Sequence, residues 1–337
     1  MDLHTQSAFA LALFLAALAP GTSCAAEIKI GVTPVAGLAA PYIAQERGYF
    51  AAEGVPAKLV QFDSTTTQAV AIVSGDIDFG ITALSAAVYN LASQGQIQVI
   101  GAAARESPGF KIQGIFASGR AYAAGLHALK DLPGHSFAVT GMSGPPVYVV
   151  GSLMAAKYGY DFKSIRFVSV ETIPNVASSI IGGRVDATGT SLTAALVPVV
   201  ERGDVKILAW VGDETPWQYG GVMAAPKTVK ERPDTVARFL RAYRKATKDY
   251  HDAVAGPDDK PRNGPTTEAV LAIVANATHQ TIDQLKVAIP YVDAEARLDV
   301  KDVLRQIAWY RSQGLVKGPI DGEAMVDMRD VIPLPER

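Results

Sequence analysis

The chain has 337 residues, of which 49% are hydrophobic and 19% are charged, so it can bury the cores of two domains. Its 31 Lys and Arg residues are balanced by 33 Asp and Glu residues. This balance argues against a nucleic-acid partner, which would require a basic surface.

The first 26 residues are predicted to be a secretory signal peptide, cleaved after Ala26. An apolar run from Ala8 to Ala19 is too short to cross a membrane as a helix, and Pro20-Gly21 ends it. The segment before this run carries no Lys or Arg, unlike most signal peptides, so a true start further upstream stays open. We therefore expect a periplasmic protein.

Cys24 is the only cysteine, and it precedes the predicted cleavage site. The mature protein would then have no disulfide and no thiol chemistry. Small residues come just before Cys24, so lipid anchoring at this cysteine is an alternative to simple release.

Strands and helices alternate along the first part of the mature chain. Ile28–Val32 and Ala57–Phe62 are β-type runs, and a helical pattern over Gly37–Gly48 separates them. Ser64 is a predicted N-cap of the next helix, and Val99–Ala103 is another strand. Such alternation predicts an α/β domain with a parallel sheet.

A second α/β unit is predicted after a crossover near Arg105–Phe110. Further strands are expected at Ser136–Val139, Arg166–Val170 and Val205–Trp210, and helices at Val147–Tyr158 and Asn175–Gly182. The turn-rich stretch Gly212–Gly221 is expected to return the chain to the first unit, against which the C-terminal helices would pack. The predicted lobes are therefore residues 27–108 plus 218–337, and residues 109–217.

One sequence motif occurs twice in the chain. Gly75–Thr82 and Gly183–Thr190 both read Gly-x-(Ile/Val)-Asp-x-x-x-Thr, and each lies between two helical runs. Each copy predicts a helix end, a short buried strand and a hydroxyl-bearing loop before a helix. Asp78 and Asp186 fall at the strand starts, distant from the cleft, where we expect capping or hinge bonding rather than a pair of catalytic carboxylates. Two such units facing each other would enclose a cleft suited to a small polar molecule.

The chain resembles the substrate-binding proteins of ABC importers, of the nitrate, sulfonate and taurine type. The resemblance is carried in order by Ile28–Val32, Tyr42–Phe50, Glu53-Gly54-Val55, Gly75–Gly80 and Gly314-Leu315-Val316. It implies a type II periplasmic binding protein fold, with two Rossmann-like lobes joined by a two-stranded hinge. It also implies a monomer that closes on a small-molecule ligand and docks on an inner-membrane permease.

Four loops at predicted strand–helix junctions are expected to face the cleft, because ligands of α/β sheets bind beyond the carboxyl ends of strands. The candidate ligand-binding residues are Thr33, Gly37, Leu38, Thr82, Ala83, Ser85, Met142, Ser143, Gly144, Thr190 and Ser191, together with Trp217 in the return loop. Leu192 belongs to the fourth loop. Ser85 and Ser191 are alternatively plain N-caps.

The four loops contain no Lys, Arg or His, whereas a dianion site would favour an arginine fork. We therefore expect a monoanionic or neutral organic solute, such as a sulfonate or a carboxylate. Arg105 and Lys111 flank the crossover and are expected at the surface, with contact to the ligand as the alternative.

The sequence offers no catalytic or metal site. Gly141–Pro145 approaches a G-x-S-x-G elbow but has proline at the last position, and the five histidines lack metal-ligand spacing. We therefore expect a binding protein without a cofactor. The alternatives are an enzyme of pyrimidine or thiamine-precursor synthesis on the same scaffold, and a ligand sensor for a membrane partner.

Overall fold

A computed structural model describes residues 27–191, 195–317 and 325–335. The predicted signal peptide, with Cys24, lies outside the described residues, and so does Leu192.

The described residues form thirteen strands in three sheets. The strands are β1 Ile28–Val32, β2 Ala57–Gln61, β3 Phe79–Ala83, β4 Gln98–Ala102, β5 Ala104–Glu106, β6 Gly114–Ser118, β7 Ser136–Val139, β8 Arg166–Ser169, β9 Ala187–Thr190, β10 Val205–Trp210, β11 Trp217–Gln218, β12 Gly220–Ala224 and β13 Tyr291–Val292.

The helices in the described residues lie between and after these strands. They are α1 Ala40–Glu46, α2 Tyr49–Ala52, α3 Thr65–Ser74, α4 Ala86–Ser93, α5 Gly119–Ala123, α6 Pro145–Tyr148, α7 Ala155–Tyr158, α8 Ile173–Ile181, α9 Val197–Glu201, α10 Val211–Glu214, α11 Pro226–Glu231, α12 Pro233–Val254, α13 Thr267–Thr278, α14 Ile282–Val287 and α15 Val300–Ser312. A π-helical segment, Val149–Met154, joins α6 to α7, and 3₁₀ turns cover Ala36–Leu38, Leu129–Asp131 and Phe162–Ser164.

Two five-stranded sheets form the cores of the two predicted lobes. The first has the order β2-β1-β3-β12-β4, and the second has the order β10-β6-β9-β7-β8. In each sheet four strands run in the same direction, while β12 in the first and β6 in the second are antiparallel to both of their neighbours. Both sheets have buried centres, since β3, β6, β7 and β9 are buried along their whole length.

The repeated sequence motif forms the same local structure in both sheets. The amide of Asp78 donates to the carbonyl of Lys29 at 2.9 Å, and the Asp78 carboxylate accepts from the amide of Lys29 at 2.7 Å. Asp186 makes the matching pair with Ser136, at 3.2 Å and 2.9 Å. Each aspartate therefore joins the start of its strand to the neighbouring parallel strand, and not to the hinge.

An arginine neutralises each of these carboxylates. Arg232 pairs with Asp78, and Arg120 pairs with Asp186 at 2.7 Å. Burial would raise the pKa of Asp186, but hydrogen bonds from Ser136 and the charge of Arg120 outweigh it and lower that pKa. Both aspartates have structural partners at the strand starts, away from the ligand-facing ends.

The two sheets are connected by paired crossover strands. β5 carries the chain out of the first sheet, and β11 brings it back, with Trp217 opposite Glu106 and Gln218 opposite Arg105. This pair confirms the predicted two-stranded hinge. β13 adds a third strand beside β5, contributed by the C-terminal part of the chain.

The last long helix contacts both halves of the molecule. α15 packs on α4 beside the first sheet, on α6 beside the second, and on β11 of the hinge. Within the described ranges, no helix is long and apolar enough to span a membrane.

Candidate functional site

Two adjoining cavities lie between the sheets. The first, which we call the polar cavity, has a volume of about 270 Å³, and the second, the apolar chamber, has a volume of about 440 Å³. They share the lining residues Thr33, Val35, Asp63, Ile173 and Ser191, so they form two parts of one cleft.

Both sheets line the polar cavity with the carboxyl ends of their parallel strands. Thr33 follows β1, Asp63 and Ser64 follow β2, and Thr82 ends β3. From the second sheet come Thr140 and Gly141 after β7, Glu171 after β8, and Thr190 at the end of β9. The arrangement follows the rule that α/β sheets bind ligands beyond their strand ends.

Helix N-termini surround the polar cavity, and side chains cap three of them. Ser64 accepts from the amide of Thr67 at 3.2 Å, Ser85 from Val88 at 3.4 Å, and Thr172 from Asn175 at 3.2 Å. These caps leave other first-turn amides free to donate to a ligand.

One hydrogen bond between backbone groups crosses the cleft. The amide of Ala86, at the start of α4, donates to the carbonyl of Ser143 at 3.1 Å. On the same loop, the carbonyl of Gly144 accepts from the Tyr310 hydroxyl of α15 at 3.3 Å. The loop after β7 is therefore held to elements beside the first sheet.

Ten of the twelve residues expected to bind ligand line this cleft. Gly37 lines the apolar chamber, Thr33 and Ser191 line both cavities, and the polar cavity is lined by Leu38, Thr82, Ala83, Ser85, Ser143, Gly144 and Thr190. Their part in ligand binding stays a prediction. Met142 and Trp217 line neither cavity.

The prediction that Trp217 lies in a loop facing the cleft is wrong. Trp217 lies in hinge strand β11, is 0% exposed, and packs its ring against Tyr148 and Tyr219. The turn-rich composition of the return segment concealed a paired strand. Tyr219, two residues later, lines the polar cavity.

Ser191 lines both cavities, and the first helix after it among the described residues is α9, which begins at Val197 with Leu196 as its N-cap. Met142 is 39% exposed on the loop after β7 and lines neither cavity. The neighbouring Ser143 and Gly144 line the polar cavity instead.

Sequence reasoning missed the loops after β2 and β8. Asp63, Ser64 and Thr65 follow β2, while Glu171 and Ile173 follow β8, and all line the polar cavity. The sequence signal for both loops is a strand followed by a capping hydroxyl and a helix. At Ser64 this pattern predicts a helix cap, and it also marks the strand end at which a ligand can bind.

The two basic residues expected at the surface lie elsewhere. Arg105 is 7% exposed in β5, with its guanidinium carbon 5.4 Å from the centre of the Tyr291 ring. Lys111 is half-buried and lines the apolar chamber. Lys111 is the one basic side chain among the described residues that line the cleft.

A buried carboxyl group lies in the hinge next to the cleft. Glu106 is 0% exposed, and one of its oxygens accepts from the amide of Gln113 at 2.9 Å. Burial raises the pKa of Glu106 to about 8, against hydrogen bonds from Gln113, Ile112 and Gly212, and nearby Asp213 raises it further. Glu106 is therefore mostly protonated at neutral pH, and Gln113, which it holds, lines the polar cavity.

The cleft has one polar part and one apolar part. Hydroxyls, amides and two carboxylates line one part of it, and apolar side chains including Ile112, Pro174 and Pro290 line the other. No group of three or more His, Cys, Asp or Glu within the described part of the chain could hold a metal ion.

A family model described as NMT1/THI5 like matches residues 36–259. A search of curated protein sequences gave no significant match. Many solved structures are similar to the chain in fold.

The alkanesulfonate-binding protein SsuA from Xanthomonas axonopodis pv. citri, bound to MOPS, superposes with a TM-score of 0.69 at 15% identity, covering 90% of this chain and 99% of that one. The periplasmic nitrate-binding protein NrtA from Synechocystis PCC 6803 gives 0.68 at 13% identity, with 91% and 87% covered. The ligand-binding component of an ABC-type import system from Staphylococcus aureus gives 0.67 at 14% identity, with 91% and 96% covered. These likenesses confirm the predicted periplasmic binding protein fold.

Proposed function

The chain belongs to the NMT1/THI5-like family, and from this premise we propose that it is the solute-binding component of an ABC importer. In this proposal a small organic solute is captured between two lobes that close on it, and the closed form docks on a permease of the inner membrane. The protein acts as a periplasmic monomer, released after cleavage at Ala26. The lobes comprise residues 27–108 plus 218–337, and residues 109–217.

One observation carries the proposal: a single cleft is lined by strand ends of both sheets. Thr82 and Ser85 reach it from the first sheet, and Ser143 and Thr190 from the second. A ligand that contacts both sides gains more contacts when the lobes approach, and this differential affinity drives closure.

The lining favours a solute that is neutral or carries a single negative charge. The polar cavity supplies hydroxyls and backbone amides without an arginine, and Lys111 is the one base at the chamber. The apolar wall, which includes Val35, Ala36 and Ile112, suits a hydrocarbon body. A sulfonate or carboxylate with an organic body meets these requirements.

The proposal is tested by a thermal-shift screen of the protein after it has been refolded to remove bound solute. The panel holds alkane- and arenesulfonates, taurine, carboxylates, pyrimidines and nitrate. A compound at 100 times its dissociation constant should stabilise the protein by about 2.7 kcal/mol, which raises the Tm by a few degrees.

Small-angle X-ray scattering with the same compounds measures closure. A hit that raises the Tm and reduces the radius of gyration supports capture between lobes. Chemical conversion of a hit during incubation, followed by chromatography, would instead support an enzyme. A hit that leaves the radius of gyration unchanged would contradict the closure mechanism.

A further inference from the structure

The charges in the cleft are unevenly distributed between its two parts. Glu171 lines the polar cavity, and Asp63 lines both parts, so two carboxylates surround the polar end. Lys111 lines only the apolar chamber. Among the described lining residues, the polar cavity thus has two carboxylates and no cation, whereas the chamber has one carboxylate and one cation. An anionic group is therefore repelled less in the chamber, where the ammonium group attracts it.

Lys111 is held in place by both halves of the molecule. Its backbone amide donates to the carbonyl of Ile289 at 2.8 Å, and its Nζ donates to the carbonyl of Val287 at 3.3 Å. The same Nζ lies 5.2 Å from the ring centre of Trp210, at the end of β10. The side chain is therefore held over an aromatic ring, in a cation–π contact.

The ammonium group has capacity to bind an anion. It carries three N–H donors, and the carbonyl of Val287 uses one. Within the described residues, no carboxylate lies within 4.0 Å of this Nζ, unlike the ion-paired Lys157 and Lys245. A charge-assisted hydrogen bond to a ligand is thus open to it.

We propose that Lys111 binds the anionic group of the solute in the apolar chamber, while an uncharged end of the solute occupies the polar cavity. This inference rests on the proposed function and narrows it to one ligand class. The solute is an organic monoanion whose charged group adjoins its apolar body, and whose opposite end forms neutral hydrogen bonds with hydroxyls and amides. Lys111 then selects the anion over its neutral analogue.

The test uses acid and amide pairs that differ in charge but share a body. The probes are 4-hydroxyphenylacetate with its amide, and 6-hydroxynaphthalene-2-sulfonate with its sulfonamide. Dissociation constants are measured by calorimetry for the full protein and for two variants, Lys111→Met and Lys206→Met. Lys206 is the matched control, because its Nζ lies 5.8 Å from the Tyr122 ring centre and it lines neither cavity.

We expect the unsubstituted protein to bind at least one acid at least tenfold more tightly than its amide. Lys111→Met should remove that preference by weakening the acid about tenfold, with the amide changed less than twofold. Lys206→Met should leave both affinities unchanged.

Three results would overturn the inference. The acid and amide of each pair would bind equally to the unsubstituted protein, or Lys111→Met would weaken both members alike, or no acid of either pair would bind. The proposed function would survive the last result if the wider screen found a neutral solute or a small inorganic anion that closes the lobes. It would fail if no compound bound at all.

Discussion

Single residues in this cleft combine a structural and a ligand-facing role, and Ser85 is the clearest case. The Ser85 hydroxyl caps the N-terminus of α4, and Ser85 also lines the polar cavity. Ser118 caps α5 in the same way, accepting from the amide of Ala121 at 3.2 Å, and it lines neither cavity. The two serines have the same burial, at 2% and 1% exposure, so they form a matched pair.

Replacing either serine with alanine removes a helix cap, which costs about 1 kcal/mol of unfolding free energy. We expect Ser85→Ala and Ser118→Ala to lower stability alike in urea unfolding, whereas only Ser85→Ala weakens binding of the best compound from the screen. A weakening on the order of fivefold corresponds to the loss of one hydrogen bond. If the two variants bound the compound with equal affinity, Ser85 would not belong to the binding site.

The sequence predicted cleft-lining residues correctly where the side-chain type and the position at a strand end both indicate the cleft. Thr82 and Thr190 lie at the ends of equivalent strands and hold the same position in the repeated sequence. Trp217 was expected in a loop, whereas its burial is decided by pairing with β5, 111 residues earlier in the chain. Pairing over such a distance leaves no local signal in a two-residue strand.

At the scale of elements, the hinge strand β5 contains an ionisable group that burial keeps neutral. The Glu106 carboxyl contacts the segment that enters the second sheet, through Gln113, and the segment that leaves it, at Gly212. A β-carbon on Gly212 would lie 2.6 Å from the carbonyl oxygen of Ser107, so glycine allows these segments to meet. Charging Glu106 would place an anion next to Asp213 without solvent.

The hinge therefore predicts a pH dependence of stability. The pKa of Glu106 is about 8 in the folded protein and near 4.5 when unfolded, so the folded state binds more protons between these values. Stability must fall as pH rises through this window, by at most about 1.4 kcal/mol per pH unit. Glu106→Gln, which keeps the neutral shape, should lose this contribution.

Urea unfolding at pH 5 and pH 8 measures the effect. We expect Glu106→Gln to be more stable than the unsubstituted protein at pH 8 by about 2 kcal/mol or more, and to differ little at pH 5. The same difference at both pH values would show that Glu106 is not protonated in the fold.

The elements themselves were largely predictable, and their ends were less so. Ten-residue α3 and 22-residue α12 agree with the expected helices because their apolar residues recur at helical spacing. The helix predicted over Gly37–Gly48 begins only at Ala40, because Ala36–Leu38 form a 3₁₀ turn, and it ends at Glu46.

For the whole molecule, the contacts between α15 and the second half bear on how the cleft closes. The Tyr310 hydroxyl holds the carbonyl of Gly144, in the loop that lines the polar cavity. Tyr243 makes a comparable bond to the carbonyl of Ala102, at 3.2 Å and away from the cleft. Both rings are buried, with exposures of 0% and 1%.

We expect Tyr310→Phe to weaken solute binding by roughly two- to tenfold, because the loss of one hydrogen bond frees the loop that carries Gly144. Tyr243→Phe should cost similar stability and leave affinity unchanged. Calorimetry with the best screen compound and urea unfolding of both variants measure these effects. An unchanged affinity for Tyr310→Phe would show that the loop is positioned without α15.

The order of the first sheet has a consequence for biogenesis. Its fourth strand, β12, lies between β3 and β4, yet it follows the whole second sheet in the chain. A nascent polypeptide that ends before residue 220 can complete the second sheet, whose strands span residues 114–210, while β3 and β4 still expose unpaired edges. Such edges invite aggregation. The first sheet, whose synthesis starts first, is therefore completed last. Its strand edges need protection from aggregation until the chain has been synthesised as far as Ala224.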